Sequence, residues 1–237
     1  MSEPPAPAER DPLADLVSRS IGARVEAVEV EVLEAEPGIE RKRLRFTTTA
    51  GGASAIFERS APGRTLQAQL LPFLARKTDR VPAVRSRGLP PPHASLGPWL
   101  LLEDILLAPG ACEGDVADIV RAKLAIERAV AADLPALHAL GVREGADVPP
   151  TLDGAPRGLV HGRLGCETAR RTARGVVIGS WAAATLGPTV LDSVWLAADL
   201  ARRGDDAGAD QVREVYLRES GDPRSAEHWS AAHVKLP

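Results

Sequence analysis

Aromatic residues are scarce: three Phe, four Trp and one Tyr in 237 residues, so Leu, Val, Ile and Ala must fill the core. Neither charge sign dominates. Lys and Arg number 29 against 32 Asp and Glu, a net charge of −3, which gives no general reason to bind nucleic acid or an anionic membrane surface. No apolar run approaches the roughly 18 to 20 residues needed to cross a bilayer. Cysteine is nearly absent: Cys112 and Cys166 lack metal-ligand spacing and do not suggest a disulfide framework, so two free thiols in a reducing cytoplasm are expected. The opening MSEPPAPAER is proline-rich and acidic, without the basic start or apolar stretch of a secretory signal. Residues 1–12 read as a disordered lead.

What the chain does have is hydrophobic pattern. Leu13, Leu16 and Val17 recur at helical spacing ahead of Gly22. From Arg24 to Leu33 apolar and acidic residues alternate, which puts Val28, Val30 and Val32 on one face of a half-buried strand. Arg41 to Phe46 and Ser54 to Arg59 alternate again, with turns expected at Pro37-Gly38 and Gly51-Gly52, so an antiparallel meander is predicted. Thr65 to Lys77 has helical periodicity interrupted by Pro72. Val81 to Arg87 and Trp99 to Leu102 are two further strands, separated by a PPPH loop. Beyond Pro109-Gly110 the pattern turns helical, with one long helix over Asp115 to Leu140 and others over Val190 to Arg203 and Asp210 to Glu219. Short strands are expected at Leu159-Val160 and Gly175 to Ile178, and Arg170, Arg171 and Arg174 fall on a hairpin read as a solvated turn. The class is α+β, with a change of character near residues 105 to 112.

Three separated segments carry a resemblance: Leu159-Val-His-Gly-Arg-Leu-Gly-Cys-Glu-Thr168, then Val176-Val-Ile-Gly-Ser-Trp181, then Leu186-Gly-Pro-Thr-Val-Leu-Asp192. In order and spacing they resemble the LVHGDLHxxN, VIDW and LGPxxxDLA segments of the aminoglycoside phosphotransferase and choline kinase-like family. Leu100 to Asp104 resembles that family's hinge, and Leu134-Pro-Ala-Leu-His138 resembles the end of one of its helices. The resemblance implies a two-lobed protein-kinase-like fold: an antiparallel-sheet lobe over 13–106, then a mainly helical lobe over 107–237 with its catalytic loop region at 159–181. It also implies a nucleotide cleft between the lobes.

Phosphoryl transfer requires a carboxylate to orient the acceptor hydroxyl, oxygen ligands for magnesium, and a lysine–glutamate pair on the phosphates. The positions that the resemblance assigns to these groups are all altered. Arg163 stands where the acceptor-orienting aspartate is expected, and a guanidinium accepts no proton. Thr168 replaces the metal-ligating asparagine, and Ser180 the metal-ligating aspartate. Glu58 takes the place of the phosphate-binding lysine and Gln67 that of its glutamate partner. The turn Glu34-Ala-Glu-Pro-Gly-Ile-Glu40 sets carboxylates where backbone amides would cradle phosphate. His161, Gly162, Trp181, Gly187, Pro188 and Asp192 match family positions that shape the loop.

The expectation is therefore a degenerate member of the family, a cytoplasmic pseudokinase serving as a binding or regulatory module. Glu58, Arg163, Glu103 and Asp104 are its cleft or ligand-binding candidates, with no catalytic residue, metal or cofactor expected. Its partner would be a protein or a small anionic ligand, not nucleic acid or membrane. Two alternatives stand beside this reading. One is an atypical small-molecule phosphotransferase using ATP and magnesium through Glu167 or Glu103; the other is metal-free binding of an anionic metabolite by Arg163.

Overall fold

The computed structural model describes residues 12–34, 37–90, 97–145 and 150–233. Residues 1–11 of the expected disordered lead, the PPPH loop beyond Pro90, and Ala35 and Glu36 of the turn expected to face phosphate lie outside those residues; Pro12, expected in the lead, instead opens the first helix. The chain forms two compact units, residues 1–65 with 84–104 and residues 66–83 with 105–237.

In the first unit, helix α1 (Pro12–Ile21) precedes five strands: β1 (Val28–Leu33), β2 (Ile39–Thr48), β3 (Gly51–Ser60), β4 (Val84–Gly88) and β5 (Trp99–Glu103). They form one sheet in the order β1-β2-β3-β5-β4, every pair antiparallel. Period-two alternation divides its side chains between two faces. Leu44, Phe46, Ala55, Phe57 and Leu101 share a core with Ala14 and Val17 of α1 and with Val25. The β2–β3 turn is Thr49-Ala50, two residues earlier than the glycine pair suggested, and Gly51 opens β3 at φ +115°.

The register corrects the expectation for β1. Val30 and Val32 are 44% and 75% exposed, because β1 is an edge strand and only Val28 reaches the core packed on α1. Alternation identifies a shared face but not whether anything covers it.

The second unit begins with α2 (Leu66–Leu74), which runs through Pro72 and ends two residues after it. The single helix expected over Asp115 to Leu140 is instead two, α3 (Ala117–Val130) and α4 (Leu134–Ala139), parted by a tight turn at Ala131–Asp133. Pro135 lies in the first turn of α4, where its missing N–H has no helical acceptor to lose. There follow β6 (Arg143–Glu144), β7 (Arg157–Val160), the β8 (Ala169–Thr172) and β9 (Gly175–Ile178) hairpin, and β10 (Thr185–Pro188). β10 pairs parallel to β6 and antiparallel to β7. Helices α5 (Val190–Arg202), α6 (Asp206–Glu219) and α7 (Ser225–His233) close the unit, with α5 packed on both others. The Asp205 carboxylate caps α6 by accepting from the Gly208 N–H at 2.9 Å. No helix among the described residues is long and apolar enough to cross a membrane.

Candidate functional site

Residues 161–168 form a loop between β7 and β8 that is held at both ends by one face of α5. Near its start, the Asp192 carboxylate accepts the backbone N–H groups of His161 at 2.7 Å and Gly162 at 3.1 Å. Seven residues along α5, two helical turns, Asp199 accepts the N–H of Cys166 at 3.1 Å. Gly162 sits at φ +85°, and a Cβ there would meet the Ala183 carbonyl oxygen at 2.3 Å, so this position requires glycine.

Asp192 is fully buried and has a buried cation against it. Lys123, on α3, donates to Asp192 and to the Leu159 carbonyl, each at 2.9 Å, and to Glu127 one turn along its own helix. Its three N–H groups are thereby satisfied, which is the condition for placing an ammonium in a core. Burial alone would depress the Lys123 pKa, but the Asp192 and Glu127 carboxylates more than offset it and hold the group above its ordinary value. Burial raises the Glu127 carboxyl, with Lys123 offsetting part of the rise.

His161 joins this loop to the end of the hairpin, just after β9. Its Nε2 lies 2.7 Å from the Gly179 carbonyl and its Nδ1 accepts the Arg163 N–H at 3.2 Å, a pattern that requires the neutral ring with the proton on Nε2. The ring stands edge-on to Trp181, centroids 4.7 Å apart, and the Trp181 indole donates to the Ile178 carbonyl at 2.9 Å. Between Gly179 and Trp181, Ser180 has φ +59°, the one non-glycine residue with positive φ among those described. Such a left-handed conformation is a strained choice for serine and an easier one for asparagine or aspartate. Gly187 and Pro188 lie in β10, paired with Gly158 and Arg157 of β7.

The structure thus brings His161, Gly162, Trp181 and Asp192 together at this loop, leaves Gly187 and Pro188 on β10 against the start of β7, and adds Lys123, Glu127 and Asp199, which sequence reasoning missed. Lys123 and Glu127 had left a signal: with Val116, Ile119, Val120 and Val130 they occupy the apolar face of the helix, where a charge demands a buried partner.

The positions that the resemblance marks as altered are placed as follows. Arg163 is exposed on the loop. Thr168 is buried, and its hydroxyl is engaged within the loop, accepting from the Gly165 N–H at 3.1 Å and donating to the Gly165 carbonyl at 3.0 Å. Magnesium favours oxygen ligands that include anionic carboxylates. The neutral hydroxyls of Ser180 and Thr168, the latter already committed, carry no such charge. Among the described residues no three Asp, Glu, His or Cys side chains gather as a metal set.

In the first unit, Glu58 faces Arg41 across the β2–β3 ladder and accepts from its Nε at 2.6 Å. Arg43, on the same face of β2, donates to Asp104 at 2.8 Å and Glu31 at 2.9 Å, and Arg45 also reaches Glu31. The candidates Glu58 and Asp104 are therefore the acidic halves of ion pairs within the sheet, and the arginines that answer them went unnoticed. Glu103 pairs with Ala55 at the end of β5. Gln67 is buried in α2 of the second unit.

The two expected free thiols are corrected. Cys112 and Cys166 form a disulfide with Cα atoms 5.5 Å apart, tying the segment after Pro109-Gly110 to the loop. The hairpin arginines are not a solvated turn either: Arg171 donates to Asp118 at 2.8 Å and to the Asp115 carbonyl at 3.0 Å. Arg174 reaches the Val81 carbonyl at 3.2 Å.

A five-stranded antiparallel sheet with a helix, together with a helical unit whose carboxylate-anchored loop precedes a hairpin, is the fold of aminoglycoside phosphotransferases and choline kinase-like proteins. An amicoumacin kinase solved with AMP-PNP and Ca2+ superposes with a TM-score of 0.58 at 10% identity, covering 87% of this chain and 76% of its own. A choline/ethanolamine kinase family protein from Mesorhizobium loti gives 0.53 at 15% identity, over 86% and 73% of the two chains. An aminoglycoside phosphotransferase-like protein from Ralstonia eutropha gives 0.52 at 14% identity, over 93% and 84%. At these identities the likeness establishes the fold. No protein-family model matches the chain, and no curated protein matches it in sequence.

Proposed function

We propose that this chain is a catalytically inactive kinase-like protein that acts as a binding or regulatory module. One observation carries the reading: the 161–168 loop keeps every support a reacting group would need, from Asp192, Lys123, His161 and Asp199, yet it presents Arg163 where the resemblance calls for a carboxylate. A permanently protonated guanidinium cannot orient or deprotonate an acceptor hydroxyl. Ser180 and Thr168 supply no negative charge for magnesium, and Glu58 carries the wrong sign for a phosphate. These positions serve one reaction geometry, so their losses act together on the same step.

On this reading the module needs neither ATP nor magnesium, and its partner is a protein or a small anionic ligand. Its setting is the cytoplasm, where the Cys112–Cys166 bond would be exchanged rather than permanent. Thermal unfolding of the full chain with ATP, with magnesium and ATP, and with EDTA and ATP tests the proposal. No magnesium-dependent shift and no transfer of phosphate to hydroxylated acceptors are expected. A magnesium-dependent shift with turnover would restore the phosphotransferase reading, whereas a shift indifferent to EDTA would identify a metal-free anion binder.

A further inference from the structure

The disulfide is neither sealed in the core nor remote from the candidate loop. Both half-cystines line a cavity of about 580 Å³ within the second unit, together with Gly110, Glu113, Glu167, Arg170 and Arg203. Cys112 is half-buried, whereas Cys166 is 8% exposed. Arg170 places its guanidinium beside Cys166, donating to that residue's carbonyl at 3.2 Å and to the Ala169 carbonyl at 3.0 Å.

We propose that Cys112–Cys166 is a reversible thiol–disulfide exchange site, entered from this cavity by a small-molecule thiol, whose state sets the mobility of the loop's C-terminal end. The thiolate of the small molecule attacks Sγ of Cys112, the more exposed residue of the pair; the S–S bond breaks and its electron pair leaves on Cys166 as a thiolate, which takes up a proton. A second small thiol then attacks the mixed disulfide, giving the Cys112 thiol and the oxidised small molecule. Exchange rates depend on access to the attacked sulfur, and both half-cystines line this cavity.

The consequence follows from what else holds each partner. The segment around Cys112 remains attached without the bridge, because Arg171 donates its backbone N–H to the Pro109 carbonyl at 3.0 Å and Gly110 bridges to Arg170. At the other sulfur, the Cys166 N–H retains Asp199, itself also bound by Arg203 at 3.0 Å. The start of the loop, on buried Asp192, is untouched. Opening the bond therefore removes one of the anchors of residues 165–168, leaving Asp199 on the Cys166 N–H, and leaves His161 and Gly162 in place.

The test uses the full chain folded in native buffer, with graded ratios of reduced to oxidised glutathione, intact mass after thiol alkylation, and amide hydrogen exchange. Cys166→Ser should take up one glutathione on Cys112, about tenfold faster than Cys112→Ser takes one up on Cys166. The reduced wild type should exchange the Cys166 amide faster than the oxidised form, with the His161 amide unchanged. Two results would overturn the proposal: a bond that opens only at the rate of global unfolding, measured in parallel in urea, or adducts that form as fast on Cys166 as on Cys112. Equal protection of the Cys166 amide in both redox states would remove the link to loop mobility.

Discussion

Replacing Lys123 with methionine should strip the central support from the 161–168 loop. Its ammonium stands 2.9 Å from Asp192, whose side chain is fully buried, and also binds Glu127. At an effective dielectric of about 20, one such contact at 2.9 Å is worth roughly 6 kcal/mol before desolvation is subtracted. The subtraction is large for buried ions, and removing a single partner from such a group costs about 3–5 kcal/mol because the remaining charge is left unpaired. Lys123→Met should fall in that range in urea denaturation at neutral pH. Glu127→Gln is the informative companion. It retains an oxygen for Lys123 and removes a carboxylate that burial has already raised above its ordinary pKa. A group raised on folding favours the native state below its unfolded pKa, and this contribution disappears as pH climbs through the native value. Wild-type stability should therefore include a decline attributable to Glu127 as pH rises above about 4.5, and Glu127→Gln should flatten it while costing under about 1.5 kcal/mol. A Lys123→Met loss below about 1 kcal/mol, or an unchanged pH profile in Glu127→Gln, would refute the assignment of this buried group as the loop's support.

Three further outcomes follow from other parts of the structure. Reducing the Cys112–Cys166 bond, which spans 54 positions of sequence, should lower stability by up to about 4 kcal/mol on the loop-entropy account, read as the difference between denaturation midpoints with and without a dithiol. Ser180→Gly should stabilise the fold by about 0.5–1 kcal/mol by relieving φ +59°, and Ser180→Asp should fold as well as wild type; loss of folding in Ser180→Asp would contradict the backbone reading. Glu58→Lys alone should destabilise the first unit by about 1–3 kcal/mol, because the new ammonium would face Arg41, and Arg41→Glu introduced with it should restore part of the loss.

Much of this was legible in one sequence. The order of the HG, SW and GP…D segments identified the fold, and Asp192 was recognised as part of the loop's frame because each residue sat in a dense local pattern. The rest depended on distance or context. Cys112 and Cys166 lie 54 positions apart with no motif around either, so nothing local announced their pairing. Val30 and Val32 alternate like core residues but stand on an uncovered edge, since period two cannot reveal the absence of a neighbour. Glu58 reads in the sequence as an inverted charge, and the structure adds that it is half of a cross-strand pair with Arg41. The alternation placing Arg41, Arg43 and Arg45 on a single face of β2 was visible, but their partners lie on other strands.

The central claim is that a kinase-like loop survives here as a frame without its phosphate chemistry. Calorimetric titration of ATP into the native full chain, in magnesium and again in EDTA, tests it most directly. The account expects no heat that depends on magnesium; saturable magnesium-dependent binding accompanied by phosphate transfer to an acceptor would contradict it.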